Sequence, residues 1–278
     1  MKKKIFAILA AVIVGVMNMQ YFYVYSHDIT TPYSWYLKFE KPNTPPAIQD
    51  LSGFASDYGM IYRDTSGNKK IYLTFDVGYD DGNVKPILDA LKAHNAKAAF
   101  FVLPHFVTAC PELVSQMISD GHLICNHTTH HKDMSKVTDE AEFAAELRGV
   151  EDTFREATGK EMAKFFRPPE GKFNERTLEL AQKLGYRTTF WSLAYADWDK
   201  NKQPDREKAL GILLSRVHDG CVLLLHPTSA TNAAIMDTLL SEFEARGYSF
   251  ARLDEFPQPE SKGSGDTTAE NCTESGEE

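Results

Sequence analysis

Three of the chain's nine histidines fall within six residues, Asn126-His127-Thr128-Thr129-His130-His131. His127 and His131 stand four apart, so on one helical turn both imidazoles would point the same way. Two neutral imidazoles converging like that form half of a site for a borderline divalent ion such as zinc. A polar loop that merely happens to be histidine-rich would show the same spacing. Position separates the two readings. The pair directly follows the apolar run 122–126, which reads as a short buried strand, and the C-terminal ends of strands carry the chemistry in parallel α/β folds.

Other apolar runs end in equally reactive residues. The first leads into Thr74-Phe75-Asp76-Val77-Gly78-Tyr79-Asp80-Asp81-Gly82, another into Arg167-Pro168-Pro169-Glu170-Gly171, a third into Asp197-Trp198 and a fourth into His226. Each has a plain structural explanation. Asp76 can cap a turn, Arg167 can pair with a structural carboxylate, Trp198 can cover the core, and His226 can be a satisfied strand-end histidine. Five such coincidences at one face of one barrel are far less common than any one of them.

The elements that must position these residues follow from periodicity. Strand-like runs occupy 70–76, 97–103, 122–126, 163–167, 187–193, 220–226 and 248–253. Helical patterns fill 83–94, 111–120, 138–158, 174–184, 204–218 and 232–246, and Gly121, Gly159, Gly185 and Gly247 each fall where a helix C-cap is expected. The runs Ala98-Ala-Phe-Phe-Val-Leu103 and Val222-Leu-Leu-Leu225 are continuously apolar, as strands buried on both faces should be. Seven strands alternating with six helices predict a barrel-like α/β domain.

At 278 residues the chain can hold one large α/β domain, and its ordinary composition (42% hydrophobic, 25% charged) allows a sizeable core. Much of the net charge of −9 is local, because residues 257–278 carry six acids against one base, a net of −5. That segment has no aromatic residue and reads as a disordered acidic tail. The rest is mildly acidic with no basic stripe, so nucleic acid is not an expected partner. At the other end, Lys2-Lys3-Lys4 precedes the apolar run 5–17, a pattern of export. Residues 1–26 therefore read as a signal peptide or an uncleaved signal-anchor helix attaching the chain to the membrane, with the domain working extracytoplasmically. Residues 27–69, with Pro42, Pro45 and Pro46, read as an extended lead-in to a domain at 70–256. Cys110, Cys125, Cys221 and Cys272 form no recognisable spacing, so neither a disulfide framework nor a cysteine zinc site is expected.

The motif set resembles the polysaccharide deacetylase (NodB-homology, carbohydrate esterase family 4) superfamily. The family's T-F-D-x-G matches Thr74–Gly78, H-[ST]-x-x-H matches His127–His131, R-x-P-x-G matches Arg167–Gly171, the fourth motif matches Asp197-Trp198, and L-x-H matches Leu224-Leu225-His226. Softer features resemble the sporulation-type muramic δ-lactam-forming de-N-acetylases: the Gly78–Gly82 extension, doubled His130-His131, Arg167-Pro168-Pro169, Trp191-Ser192-Leu193-Ala194 and a lead-in with Trp35 and Pro45-Pro46. The resemblance implies a distorted (β/α)7 barrel and a divalent metal ion, zinc by preference, held by His127, His131 and Asp76. It implies Asp76 as general base, Arg167 holding Asp76 ionised, His226 as general acid and Asp197 raising its pKa. Leu224 and Trp198 would form the acetyl pocket, with Tyr79 beside it and the Glu170 backbone N–H as oxyanion donor. One position departs from the family: a second metal-binding Asp usually follows the first, and here the residue is Val77.

This chemistry is coherent. An acetamide is a poor electrophile, and a His-bound divalent ion polarises its carbonyl and lowers a water's pKa towards roughly 7. The expected protein is an exported, monomeric N-deacetylase acting on peptidoglycan glycan strands. Its expected substrate is N-acetylmuramic acid, on the route to the spore-cortex muramic lactam. A chitin- or xylan-type deacetylase and a glycan-binding protein with a metal site decayed at Val77 are the rival readings.

Overall fold

The computed structural model describes residues 28–49 and 57–258. The expected export segment 1–26 and all but the first two residues of the acidic tail lie outside the described residues. In chain order the elements are β1 (Tyr33–Ser34), β2 (Leu37–Lys38), β3 (Ala47–Ile48), β4 (Lys70–Val77), α1 (Val84–Ala93), β5 (Ala98–Val102), α2 (Pro104–Ala109) and α3 (Pro111–Ser119). There follow β6 (Leu123–Asn126), α4 (Glu140–Thr158), β7 (Phe165–Phe166), β8 (Lys172–Phe173), α5 (Glu175–Lys183), β9 (Arg187–Thr188), α6 (Arg206–Arg216), β10 (Cys221–Leu225), α7 (Ala230–Ala245) and β11 (Ser249–Phe250).

The main sheet is parallel throughout, in the order β10-β4-β5-β6-β7-β9, with β11 beside the start of β4. It curls until its edges nearly meet, and a parallel bridge from Leu193 to Leu223 ties the segment after β9 back to β10. This is the expected distorted seven-stranded α/β barrel. Alternation along β4 separates two cores. Ile71, Leu73, Phe75 and Val77 join the layer beneath the helices, while Tyr72 belongs to the inner cluster with Ala99, Phe101, Cys125 and Val222. Strands so buried on both faces must be apolar on both, which is why their sequences read as continuous runs.

Helix ends follow local chemistry. Asp139 accepts the Glu142 N–H (2.8 Å) at the start of α4, and Gly159 closes that helix at φ 69°, a left-handed conformation suited to glycine. Asn174 and Thr177 form a reciprocal capping box that starts α5. The short helix α2, opened by Pro104 at its first position, has no counterpart among the expected elements.

Two expectations are corrected. The strand expected at 187–193 pairs regularly only over Arg187–Thr188, because the lead-in enters the ladder: Ile61 N–H donates to Thr188 O (2.9 Å), and Phe190 N–H donates to Ile61 O (2.7 Å). The lead-in also docks rather than trailing as an extended path. β1 pairs antiparallel with β8, β2 with β3, Trp35 stacks on Phe190 at 4.5 Å, and Trp35 Nε1–H donates to Trp191 O (2.9 Å). Among the described residues no helix is long and apolar enough to cross a membrane.

Candidate active site

At the C-terminal end of β4, Asp76 accepts a hydrogen bond from Arg167 Nη1 at 2.7 Å. Arg167 is fully buried, and every arm of its guanidinium is bonded. Nη2 donates to Thr74 Oγ1 (2.8 Å) and Phe190 O (3.2 Å), Nε donates to Thr189 O (3.2 Å), and the plane lies 4.2 Å over the Phe101 ring. A buried cation is tolerable only when paired and bonded in this way. Burial opposes ionisation of Asp76, but the pull of Arg167, with His127 and His226 behind it, outweighs burial and holds the carboxyl below its ordinary value.

His127 and His131 follow β6, but not on a helical turn. Residues 127–131 form a loop in which Thr128 (φ 70°) and His131 (φ 54°) both adopt left-handed backbone. Such non-glycine conformations cost on the order of 1–3 kcal/mol each and need support from their surroundings. Here Thr128 N–H donates to Asn126 Oδ1 (2.9 Å), His131 N–H to Thr128 Oγ1 (3.0 Å), and His130 N–H to Glu146 Oε2 (3.0 Å) from α4. The loop brings the His127 and His131 rings to 5.0 Å between centroids.

The tautomer of His127 is fixed by its partner. Its Nδ1 lies 2.9 Å from Arg167 O, which can only accept, so the proton sits on Nδ1 and Nε2 keeps its lone pair. That lone pair faces Asp76 Oδ2 at 3.6 Å, and burial pulls the His127 imidazolium down to about 4, so the ring is neutral at pH 7. An unprotonated nitrogen opposite an ionised oxygen is repulsive unless a cation lies near both. The donor set therefore suits a divalent ion of the zinc type. Among the described residues no three His, Cys, Asp or Glu side chains are drawn together tightly enough to enclose one. An ion would thus rest on His127 and His131 beside Asp76, with other positions open. Val77 does not contribute, because its side chain packs in the core beneath the helices, 1% exposed.

Across the mouth, His226 follows β10. Its Nδ1–H and backbone N–H donate to Asp197 Oδ1 and Oδ2, both at 2.8 Å. Asn232 from α7 completes the unit, its Nδ2 donating to Asp197 Oδ2 (2.6 Å) and to His226 O (3.1 Å). Burial disfavours the imidazolium, but Asp197 and the more distant Asp76 overcome it and raise His226 above its ordinary value. A carboxylate biased towards its ionised form and an imidazole biased towards its protonated form thus border one space.

That space is a cleft of about 970 Å³ whose lining includes Asp76, Tyr79, His127, His131, Glu170, Trp198, Leu224 and His226. Every site residue singled out in the sequence borders it except Arg167 and Asp197, which lie behind Asp76 and His226. Tyr79 and Trp198 are 60% and 64% exposed at the rim, and Leu224 is buried in the wall. Glu170 adopts left-handed backbone (φ 56°), and its carboxylate pairs with Lys172 Nζ at 2.5 Å. The next residue, Gly171 (φ 65°), leaves no room for a side chain, since a Cβ would stand 2.9 Å from Trp191 and 3.0 Å from Trp35. Sequence reasoning missed Thr74, Glu146 and Asn232, and it missed the lead-in wall of Tyr36, Leu37 and Phe39. Ser229 caps α7 by accepting the Asn232 N–H (3.1 Å), and the reach of the Asn232 side chain to Asp197 has no local sequence signal.

A curled parallel α/β barrel with a carboxylate and imidazoles gathered at the C-terminal mouth has the groups that hydrolytic chemistry requires. The polysaccharide deacetylase family profile matches residues 63–189. The chain is 36% identical over 225 residues to the peptidoglycan-N-acetylmuramic acid deacetylase PdaA of Bacillus subtilis, covering 81% of this chain and 85% of that protein. An uncharacterized 30.6 kDa protein of Geobacillus stearothermophilus is 38% identical over 225 residues, covering 81% of this chain and 84% of that one. The solved structure of B. subtilis PdaA, a family 4 carbohydrate esterase, superposes with a TM-score of 0.78 at 34% identity, covering 82% of this chain and 97% of that chain. The chain belongs to the polysaccharide deacetylase family, carbohydrate esterase family 4. It is a hydrolase acting on the carbon–nitrogen bond of an N-acetyl group.

Proposed function

We propose that the protein is an extracytoplasmic, metal-dependent N-deacetylase of cell-wall glycan that removes the acetyl group of N-acetylmuramic acid in peptidoglycan. The amine so freed would close on the lactyl group to give the muramic δ-lactam of spore cortex. The observation that carries the reading is the pair bordering one cleft, Asp76 bonded to Arg167 and His226 bonded to Asp197, whose carboxylate raises the imidazole's affinity for its proton. The muramic specificity is supported by the likeness to PdaA along most of both chains.

In the proposed reaction Asp76 accepts the proton of the attacking water at Oδ2, the oxygen turned towards His127. When bound at His127 and His131, a divalent ion such as zinc supplies Lewis acidity that polarises the amide carbonyl. Arg167 stays with Asp76 Oδ1 and keeps the carboxyl oriented. His226 delivers its Nε2 proton to the leaving amine, since Nδ1 is committed to Asp197. The Glu170 backbone N–H is assigned to the developing oxyanion, Leu224 and Trp198 to the acetyl methyl, and Tyr79 to the sugar at the rim.

The test is mass spectrometry of muropeptides after incubation of purified peptidoglycan with the protein, with a chelator-dialysed arm and a metal-restored arm. Loss of one acetyl group from muramic acid in the metal-restored arm alone is expected. Acetyl loss confined to glucosamine, or full activity after chelation, would overturn the assignment.

A further inference from the structure

The charged residues bordering the cleft are neutralised in pairs, with one exception. Asp76 has Arg167, Glu170 has Lys172, and His226 has Asp197. Arg216, the last residue of α6, borders the same cleft, and among the described residues no carboxylate lies within ion-pair reach of it. Its guanidinium is nonetheless held in a defined place. Nη1–H donates to Ala194 O at 2.8 Å, and the plane lies 4.2 Å over the Phe39 ring. Burial without a counter-charge lowers the pKa of the group, which marks a cation lacking its anion.

A plain role is open to Arg216, because a cation in the last turn of a helix is favourable there and its carbonyl bond ties α6 to the segment after β9. That role uses one nitrogen and leaves the rest of a planar fork unbonded. The anchored segment is the wall of the site itself, since Leu224 N–H donates to Leu193 O (2.9 Å), two residues before His226. A planar fork held by stacking and one bond at the border of the cleft is preorganised for a carboxylate.

We infer that Arg216 reads a carboxylate carried by the substituent of the sugar being deacetylated. The inference rests on the glycan reading above and adds the residue that separates an acidic sugar from a neutral one. The carboxylate can come from a bare lactyl group or from the end of a peptide stem, and the ligands of the test distinguish the two.

The experiment is calorimetric binding of the full chain to three synthetic muramic-containing tetrasaccharides: one with a free lactyl carboxylate, one with that group as its methyl amide, and one with a peptide stem. Wild type is expected to bind a carboxylate ligand at least roughly tenfold more tightly than the amide, the scale of a charge-assisted pair. Arg216→Met should bring that ratio to about one, while Arg216→Lys, which keeps the charge at the helix end and guards against misfolding, should retain part of it. If the stem-bearing glycan alone shows the preference, the carboxylate read is the stem's. A ratio unchanged in both variants, or no preference in wild type, overturns the inference. Equal weakening on all three ligands leaves the ratio unchanged and assigns Arg216 the structural role alone. Binding is read without turnover, so failure of the deacetylase assignment is seen separately.

Discussion

Asp76 and Arg167 are coupled so tightly that neither can change alone. Asp76→Asn removes the proposed base and should lower kcat/KM by about 10²–10⁴-fold. It also strips the buried guanidinium of its counter-charge, so the variant should melt earlier than wild type. The sign of the pH effect follows from the depressed carboxyl. Its contribution to stability is present above the ordinary value of 3.8 and is lost as pH falls through the lower folded value, so Asp76→Asn should flatten the acid side of a stability-against-pH curve. His226 behaves oppositely. Its folded pKa is raised, so its contribution is full below the ordinary 6.5 and is lost as pH rises through the folded value. Asp197→Asn leaves only the more distant Asp76 to oppose burial, so His226 should lose its proton earlier. The alkaline limb of the kcat/KM profile should then move to lower pH. A limb that stays in place would remove His226 from the acid's role.

The element that matters most at the site is β4, where side-chain parity decides who faces the cleft. Asp76 and Val77 are neighbours in sequence, and alternation sends them to opposite faces: Asp76 to the mouth, Val77 into the layer shared with Phe106 and Val102. Val77 therefore turns away from the cleft. Val77→Asp should bury an unpaired carboxylate and destabilise the protein by about 3 kcal/mol or more. It should leave the metal dissociation constant of the folded protein unchanged. Thermal melts and metal titrations of Val77→Asp beside Val77→Ala check both statements, and tighter metal binding in the Asp variant would contradict this placement.

At the scale of the whole molecule, the lead-in is part of both the barrel and the cleft. Ile61 fills a ladder position beside β9, Trp35 packs on Phe190, and Tyr36, Leu37 and Phe39 form a wall around the substrate space. Trp35→Ala should cost about 3–5 kcal/mol, as for a large buried aromatic. It should also raise KM for glycan more than it lowers kcat, because the wall it anchors lines the cleft without contributing a reacting group. Equal effects on the two constants would tie the lead-in to the chemistry instead.

The strand–helix alternation and the reactive residues at the strand exits were readable because they are local. A continuously apolar run, a capping side chain and a glycine after a helix each report on a few neighbouring residues. The reading faltered where positions far apart in sequence meet. Glu146, sixteen residues from His130, holds the histidine loop in a left-handed shape that no helical spacing describes. Asn232 completes the His226–Asp197 unit from thirty-five residues beyond Asp197. The sequence by itself determined which chemistries are available: an Asp, two imidazoles, an arginine, and a further Asp and His, each following an apolar run. Only the tertiary structure decided which of them face one another, that Val77 turns away, and that the lead-in closes the cleft. Those outcomes depend on curling the sheet and docking distant segments, whose energies come from contacts that no local pattern encodes.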